Sequence, residues 1–265
     1  LAINEASYGP DHPDVATCLN NLALLLQATN RLSEAEPMYR RALAVHEASY
    51  GPDHPEVATR LNNLAGLLQT ANRLSEAEPM YRRALAIDEV SYGPDHPNVA
   101  RCLNNLAFLL QATNRLSEAE PMYRRALVID EVSYGPDHPN VAIRLDNLAF
   151  LLRATNRPSE AEPMYRRALA IDEASYGPDH PDVARNLNNL AGLLRDTNRL
   201  SEAEPMLRRG VVILVRFTLM TGHEHPNLKT VGSNYAQALQ ELGCTEAETE
   251  AAIKSIVEEA GEPPQ

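Results

Sequence analysis

Lysine, cysteine and long apolar runs are scarce or missing in this 265-residue chain, and each shortage removes a class of function. Its two lysines, Lys229 and Lys254, do not sit in a GxxxxGK phosphate loop, and no GxSxG, HExxH or CxxC is present. The sequence therefore offers no phosphate cradle, nucleophile elbow, zinc-protease helix or thiol-redox pair, and it is read as non-catalytic, with no cofactor. Three cysteines are too few and too scattered for a disulfide framework, so Cys18, Cys102 and Cys244 are read as reduced thiols. No apolar run approaches the ~20 residues that cross a bilayer. The start, LAINEASYG, lacks the basic and apolar regions of a secretion signal, so a cytoplasmic location is expected. With 24 basic against 36 acidic residues the net charge is −12, which opposes any general attraction to nucleic acid or anionic membrane.

What is present is repetition. YGPDHP recurs with its tyrosine at 8, 50, 92, 134 and 176, a strict period of 42 residues. A diverged sixth copy begins at His225-Pro226, three residues late, which places an insertion near TLMTGHE. Within one unit, Val57, Leu61, Leu64, Ala65 and Leu68 recur at spacings of three and four, the apolar face of a first helix, A. Pro55 suits the first position of that helix, and His54 caps or immediately precedes it. Ser75 with Glu78 matches a capping box opening a second helix, B, with Pro79 in its first turn. Tyr92-Gly93-Pro94 ends helix B, glycine standing where a left-handed cap is wanted. The expected architecture is all-α, an array of antiparallel helix pairs.

These residues resemble the tetratricopeptide repeat, and the 42-residue unit resembles the variety found in kinesin light chains. The family pattern of large, large-small, large, small, aromatic and small residues falls on Leu61, Leu64-Ala65, Leu68, Ala77, Tyr81 and Ala84. The resemblance implies a right-handed α-solenoid running through residues 1–265. Its units are 12–53, 54–95, 96–137, 138–179 and 180–224, with 225–265 as a diverged cap. Residues 1–11 read as the end of a truncated preceding repeat, because Leu1 aligns with Leu43.

The copies can be compared with one another. Helix A varies at Thr17/Thr59/Arg101/Ile143/Arg185, Asn20/Asn62/Asn104/Asp146/Asn188, Leu24/Gly66/Phe108/Phe150/Gly192, Gln27/Gln69/Gln111/Arg153/Arg195 and Ala28/Thr70/Ala112/Ala154/Asp196. These positions share an arc of about 100° on the helix, away from the repeated leucines. A further variable position, Cys18/Arg60/Cys102/Arg144/Asn186, flanks the stripe. Helix B provides the contrast, since SEAEP is identical in five units and RRAL in four. Drift on solvated surfaces would touch both helices, so the arc is read as a ligand-lined face. In the families this chain resembles, the equivalent positions line a peptide groove.

The stripe suits an extended polypeptide. Asn20, Asn62, Asn104 and Asn188 each offer a donor and an acceptor to a peptide bond. Asn21, Asn63, Asn105, Asn147 and Asn189 recur beside them, either as a backbone-reading ladder or as stitching between repeats. Phe108 and Phe150 offer an apolar socket, and Gly66 and Gly192 open notches beside apolar ridges. Arg101, Arg153, Arg185 and Arg195 make the later half of the face locally basic, tempered by Asp146 and Asp196, which points to an acidic partner with an apolar anchor. The histidines at 12, 54, 96, 138 and 180 recur singly and are read as caps or loop packing, with no metal site. The leading expectation is a protein-interaction scaffold that binds an extended peptide on the helix-A face. Two other readings stand beside it: the C-terminal sensor or autoinhibitory arm of a larger bacterial signalling NTPase, and a spacer that self-stacks through its truncated N-terminal edge.

Overall fold

The computed structural model describes residues 7–261. The N-terminal edge invoked for self-stacking includes residues 1–6, which lie outside that range. Among the described residues, twelve helices follow one another: α1 Pro13–Ala28, α2 Leu32–Tyr50, α3 Pro55–Thr70, α4 Leu74–Tyr92, α5 Pro97–Ala112, α6 Leu116–Tyr134, α7 Pro139–Ala154, α8 Pro158–Tyr176, α9 Pro181–Asp196, α10 Leu200–Thr221, α11 Leu228–Glu241 and α12 Glu246–Ala260. Odd numbers are A helices and even numbers B helices. The chain falls into two compact units, Leu1–Ser133 and Tyr134–Gln265.

The YGPDHP motif builds each entry into helix A. His54 has extended backbone, as a residue before proline must, and its Nδ1 accepts from the Glu56 N–H at 3.2 Å. Tyr50 stacks on the His54 ring with centroids 4.7 Å apart, and the same stack recurs at Tyr92/His96, Tyr134/His138 and Tyr176/His180. These histidines are therefore helix caps buttressed by a tyrosine.

The second helix starts differently from the sequence expectation. Helix α4 begins at Leu74, with Arg73 as N-cap and no side-chain cap, so Ser75 and Glu78 form no capping box. Arg73 instead grips Glu76 of its own first turn at 2.7 Å and Glu36 of the preceding repeat at 2.7 Å. The earlier start places Pro79 in the second turn, where its missing N–H leaves one carbonyl without its helical donor. At the other end Gly93 takes φ 87° and ψ 161°, a mirror-extended conformation and not the left-handed cap. The left-handed residues are asparagines after helix A, such as Asn72 at φ 59°. A true capping box does form where Thr245 and Glu248 open α12.

Accordingly, His54→Ala should cost about 0.5–2 kcal/mol, the range for losing a side-chain N-cap. Ser75→Ala should stay within about 0.5 kcal/mol, as an exposed substitution with no special contact does. Urea melts of the two variants check this, and equal costs would refute it.

The core lies between the A and B helices. Val57, Ala58 and Leu61 of α3 pack with Ala84 and Ile87 of α4 and with Cys102 of α5, all buried. Ala77 and Ala84 have no exposed surface and let the helices approach closely. The repeated arginines of helix B work between repeats. Arg83 binds Glu47 of the preceding repeat at 2.6 Å and the Pro52 carbonyl at 2.7 Å. Arg125 makes the corresponding pair with Glu89 and Pro94, and in the second unit Arg209 does so with Glu173 and Pro178. Among the described residues Cys18, Cys102 and Cys244 form no disulfide.

Candidate functional site

In the first unit, α1, α3 and α5 present Leu24, Gly66 and Phe108 in one column. Leu24 is 45% exposed and Phe108 52% exposed, large apolar side chains left to solvent on either side of a glycine. Between them opens a cavity of about 430 Å³, whose walls also include Asn62, Asn63, Asn105 and Tyr81. Its floor is set by helix B. The Tyr81 hydroxyl lies 3.5 Å from where a Cβ on Gly66 would stand and donates to Gln69 Oε1 at 3.0 Å. The notch read from Gly66 is therefore present, and it is made by three successive repeats. Arg101 stands two turns before Phe108 on α5, partly buried, and its Nε has no hydrogen-bond partner.

The asparagines divide by role. Asn63 donates to Asn20 Oδ1 at 2.9 Å and Asn105 to Asn62 Oδ1 at 3.0 Å. In the second unit Asn189 donates to both oxygens of Asp146 at 3.0 Å, and Asn234 to Asn188 at 2.7 Å. Each of these recurring asparagines thus reaches back to the variable position of the preceding repeat. These hydrogen bonds are the stitching arrangement of the two considered above. The accepting residues Asn20, Asn62 and Asp146 are buried, as is Asn104, while Asn21 is exposed and Asn147 half-buried. Burial raises the Asp146 carboxyl above its usual range, and the Asn189 hydrogen bonds oppose that.

Unit two departs from the expected open face. Gly192 forms no free notch, because a Cβ there would lie 2.5 Å from Arg153 Nη1 and 3.1 Å from its Cζ. The Arg153 guanidinium fills the space and pairs with Asp196 at 2.5 Å. Arg195 pairs with Glu241 at 2.7 Å, and Arg185 with Asp182 at 2.9 Å. The basic character read from these arginines is thereby neutralised within the fold. Phe150 remains 48% exposed on α7.

Two features escaped the comparison of copies. The constancy of SEAEP and RRAL comes from the ion pairs that clasp neighbouring repeats, so helix B is not a neutral standard for drift. At Arg60, Cys102 and Asn186 the flanking position belongs to a buried pair whose other member lies 14 residues earlier. Arg60 donates to His46, Cys102 to Asp88 and Asn186 to Asp172, at 3.1, 3.3 and 2.8 Å. Joint variation of positions 14 apart was the available signal. Burial, Asp88 and the hydrogen bond to it hold the Cys102 thiol protonated, far above the usual range.

Among the described residues no helix is long and apolar enough to cross a membrane, and no cluster of three or more His, Cys, Asp or Glu could hold a metal ion. The profile of the tetratricopeptide repeat matches residues 1–48, 25–89, 76–131, 115–174 and 165–211. No curated protein matches the chain. Similar solved structures include BtubC (BKLC) from P. vanneervenii, 25% identical, covering 85% of this chain and 88% of that one with a TM-score of 0.68. A kinesin light chain of Podospora anserina with nearly identical TPR-like repeats is 20% identical, covering 79% and 98% with a TM-score of 0.64. Pseudomonas aeruginosa PilF is 20% identical, covering 92% and 99% with a TM-score of 0.54.

Proposed function

Because the chain belongs to the tetratricopeptide repeat family, whose all-α solenoids generally mediate contacts between proteins, we propose that it is a scaffold that binds an extended peptide segment on the helix-A face, anchored in the Gly66 notch of the first unit. The carrying observation is the cavity of about 430 Å³ flanked by the exposed side chains of Leu24 and Phe108. Burying an apolar anchor against those two residues is the main source of affinity, as in other interfaces where a few central contacts dominate. The carboxamides of Asn63 and Asn105 edge the notch. Each is tied to the preceding repeat through its Nδ2, and its remaining capacity is available to a peptide bond beside the anchor. The second unit contributes less, because its glycine is occupied and its arginines are paired. The partner's anchor is accordingly read as apolar, and a carboxylate on the partner as secondary.

The test is selection of random dodecapeptides displayed on phage, followed by affinity measurement on purified variants. Phe108→Ala should weaken the selected peptides by about tenfold or more, as truncation of a central anchor contact does. Its melting temperature should be unchanged, since half the ring is already in water. Gly66→Leu should fill the notch and weaken binding equally while favouring the helix by about 0.5–1 kcal/mol. Peptides that bind both variants as well as the parent, or a library that yields no binder, would overturn the reading. Arg195→Ala is a poor probe of the face because it also breaks the Glu241 pair.

A further inference from the structure

The three-residue delay before His225 has a structural counterpart distinct from the Gly66 notch. In the first unit the loop Tyr92–Pro97 and Ser133 of α6 bound a shallow recess of about 460 Å³. In the second unit the equivalent loop, Tyr176–Pro181, faces α10, which has 22 residues where α6 has 19. Phe217 stands in the place of Ser133, and the helix continues through Leu219 and Met220 where the regular unit turns at Gly135. Ala260 and Gly261, at the end of α12, close another side. The recess becomes a cleft of about 740 Å³ with aromatic and aliphatic walls. Met220 is 86% exposed and Leu219 56%, and with Phe217 beside them they make a contiguous apolar patch at the cleft.

Two charged side chains, Arg216 and Asp179, break the apolar lining, with the His180 ring beside them. Arg216 replaces the Val132 of the regular unit, and its side chain is 26% exposed at the cleft. The other helix-B arginines of this unit hold carboxylates or carbonyls at hydrogen-bond distance, Arg166 to Glu162 at 2.7 Å and Arg209 to the Pro178 carbonyl at 2.9 Å among them. Arg216 makes no hydrogen bond among the described residues. Its nearest acidic oxygen, on Asp179, is 3.7 Å away, and its Nε is buried without a partner. A cleft of this size with apolar walls and a single under-used guanidinium has the form of a small-molecule site. The guanidinium offers a planar fork to a carboxylate, and its partial burial strengthens that pairing.

We propose that this cleft binds an amphiphile with an apolar chain and one carboxylate, of the fatty-acid class. The chain lies against Phe217, Leu219 and Met220, and the head group pairs with Arg216. Asp179, 3.7 Å from the guanidinium and half exposed, is the carboxylate that the ligand's head group must displace, and that long ion pair is weaker than a hydrogen-bonded one. This site does not depend on the peptide groove, since no residue is shared between the two.

The probes are decanoate and 1-decanol, titrated into the full chain by calorimetry below the concentrations at which they aggregate. Wild type should bind one decanoate, and 1-decanol about tenfold or more weakly, the difference made by one charge-assisted contact. Arg216→Gln should bring decanoate to the level of decanol and leave decanol unchanged. Met220→Asp should weaken both, with the helical circular dichroism retained because this side chain is already in water. No binding of decanoate to the wild type, equal affinity for the two probes, or affinity unaltered in Met220→Asp would each overturn the proposal. So would a dimer in sedimentation that Met220→Asp abolishes, because a second copy would then be what covers the cleft.

Discussion

Tyr81→Ala should lower the unfolding free energy by about 3–5 kcal/mol, the range for deleting a buried aromatic ring. Tyr81 is 3% exposed, and its ring fills the space between the two helices of the second repeat. Tyr81→Phe separates packing from hydrogen bonding. It keeps the ring and removes only the donor to Gln69 Oε1, so it should cost about 0.5–1.5 kcal/mol. The larger end of that range is expected, because Gln69 Nε2 is already buried without a partner and the whole carboxamide would then be unpaired. The fifth repeat shows a consistent alternative: Leu207 stands in the tyrosine's place, and Arg195 replaces the glutamine that would have needed its hydroxyl. Since each repeat is stabilised mainly by its neighbours, the loss should shift a cooperative transition and not detach one pair of helices. Urea denaturation followed by helical circular dichroism distinguishes the variants. Equal destabilisation by alanine and phenylalanine would show that the ring contributes nothing.

The second large effect is acid sensitivity centred on His46. Among the described residues it is the one buried histidine, at 1% exposure. Its Nε2 faces the Pro13 carbonyl at 3.2 Å, and its Nδ1 accepts from Arg60 Nε at 3.1 Å. This pattern requires a neutral ring with the proton on Nε2. Burial lowers its pKa below the ordinary 6.5, and Arg60 adds to that, while the Pro13 carbonyl and Glu56 oppose it. The remaining neighbours are the Tyr50 ring, at a centroid distance of 5.4 Å, and His54. Glu56 is engaged with Arg60 at 2.9 Å, so it cannot fully compensate an imidazolium.

Linkage gives the direction. Above pH 6.5 the ring is neutral in both states and its contribution to stability is complete. As pH falls below that value, the unfolded chain takes up a proton that the folded chain refuses, and stability declines until the lowered value in the fold is passed. Melting temperatures of the wild type should therefore fall more steeply below pH 6.5 than those of His46→Asn, whose amide does not titrate. The comparison is needed because burial raises the carboxyls of Asp88 and Asp172, and groups shifted that way favour the fold as pH falls. Parallel profiles for the two proteins would remove His46 as the cause. The pair joins α2 to α3, next to the Gly66 notch on the same helix, so the affinity of peptides selected on the wild type should decline over the same window.

The period of 42 residues, the leucine spacing and the alanines at 77 and 84 were enough to read paired helices and their apolar faces, because those properties repeat locally and need only the helical period. The Gly66 notch was legible for the same reason: a missing side chain between Leu24 and Phe108 leaves space once the units stack. Charge was not. Arg153 and Arg195 look like free cations along the chain, and only the packed neighbours supplied Asp196 and Glu241 as their partners, whereas Asp182, three residues before Arg185 on the same helix, was legible from spacing. Gly192 looks identical to Gly66, yet one is open and the other filled by a guanidinium 39 residues earlier. The apparent capping box failed on a related ground. Ser75 and Glu78 are local signals, but Arg73 is the N-cap, so the helix starts two residues sooner, and Arg73 binds Glu36 of another repeat. Local periodicity therefore determined the helices, their order and one notch. Which polar and charged groups remain available to a ligand was decided by tertiary structure, because long side chains satisfy themselves across repeat boundaries that sequence spacing does not reveal.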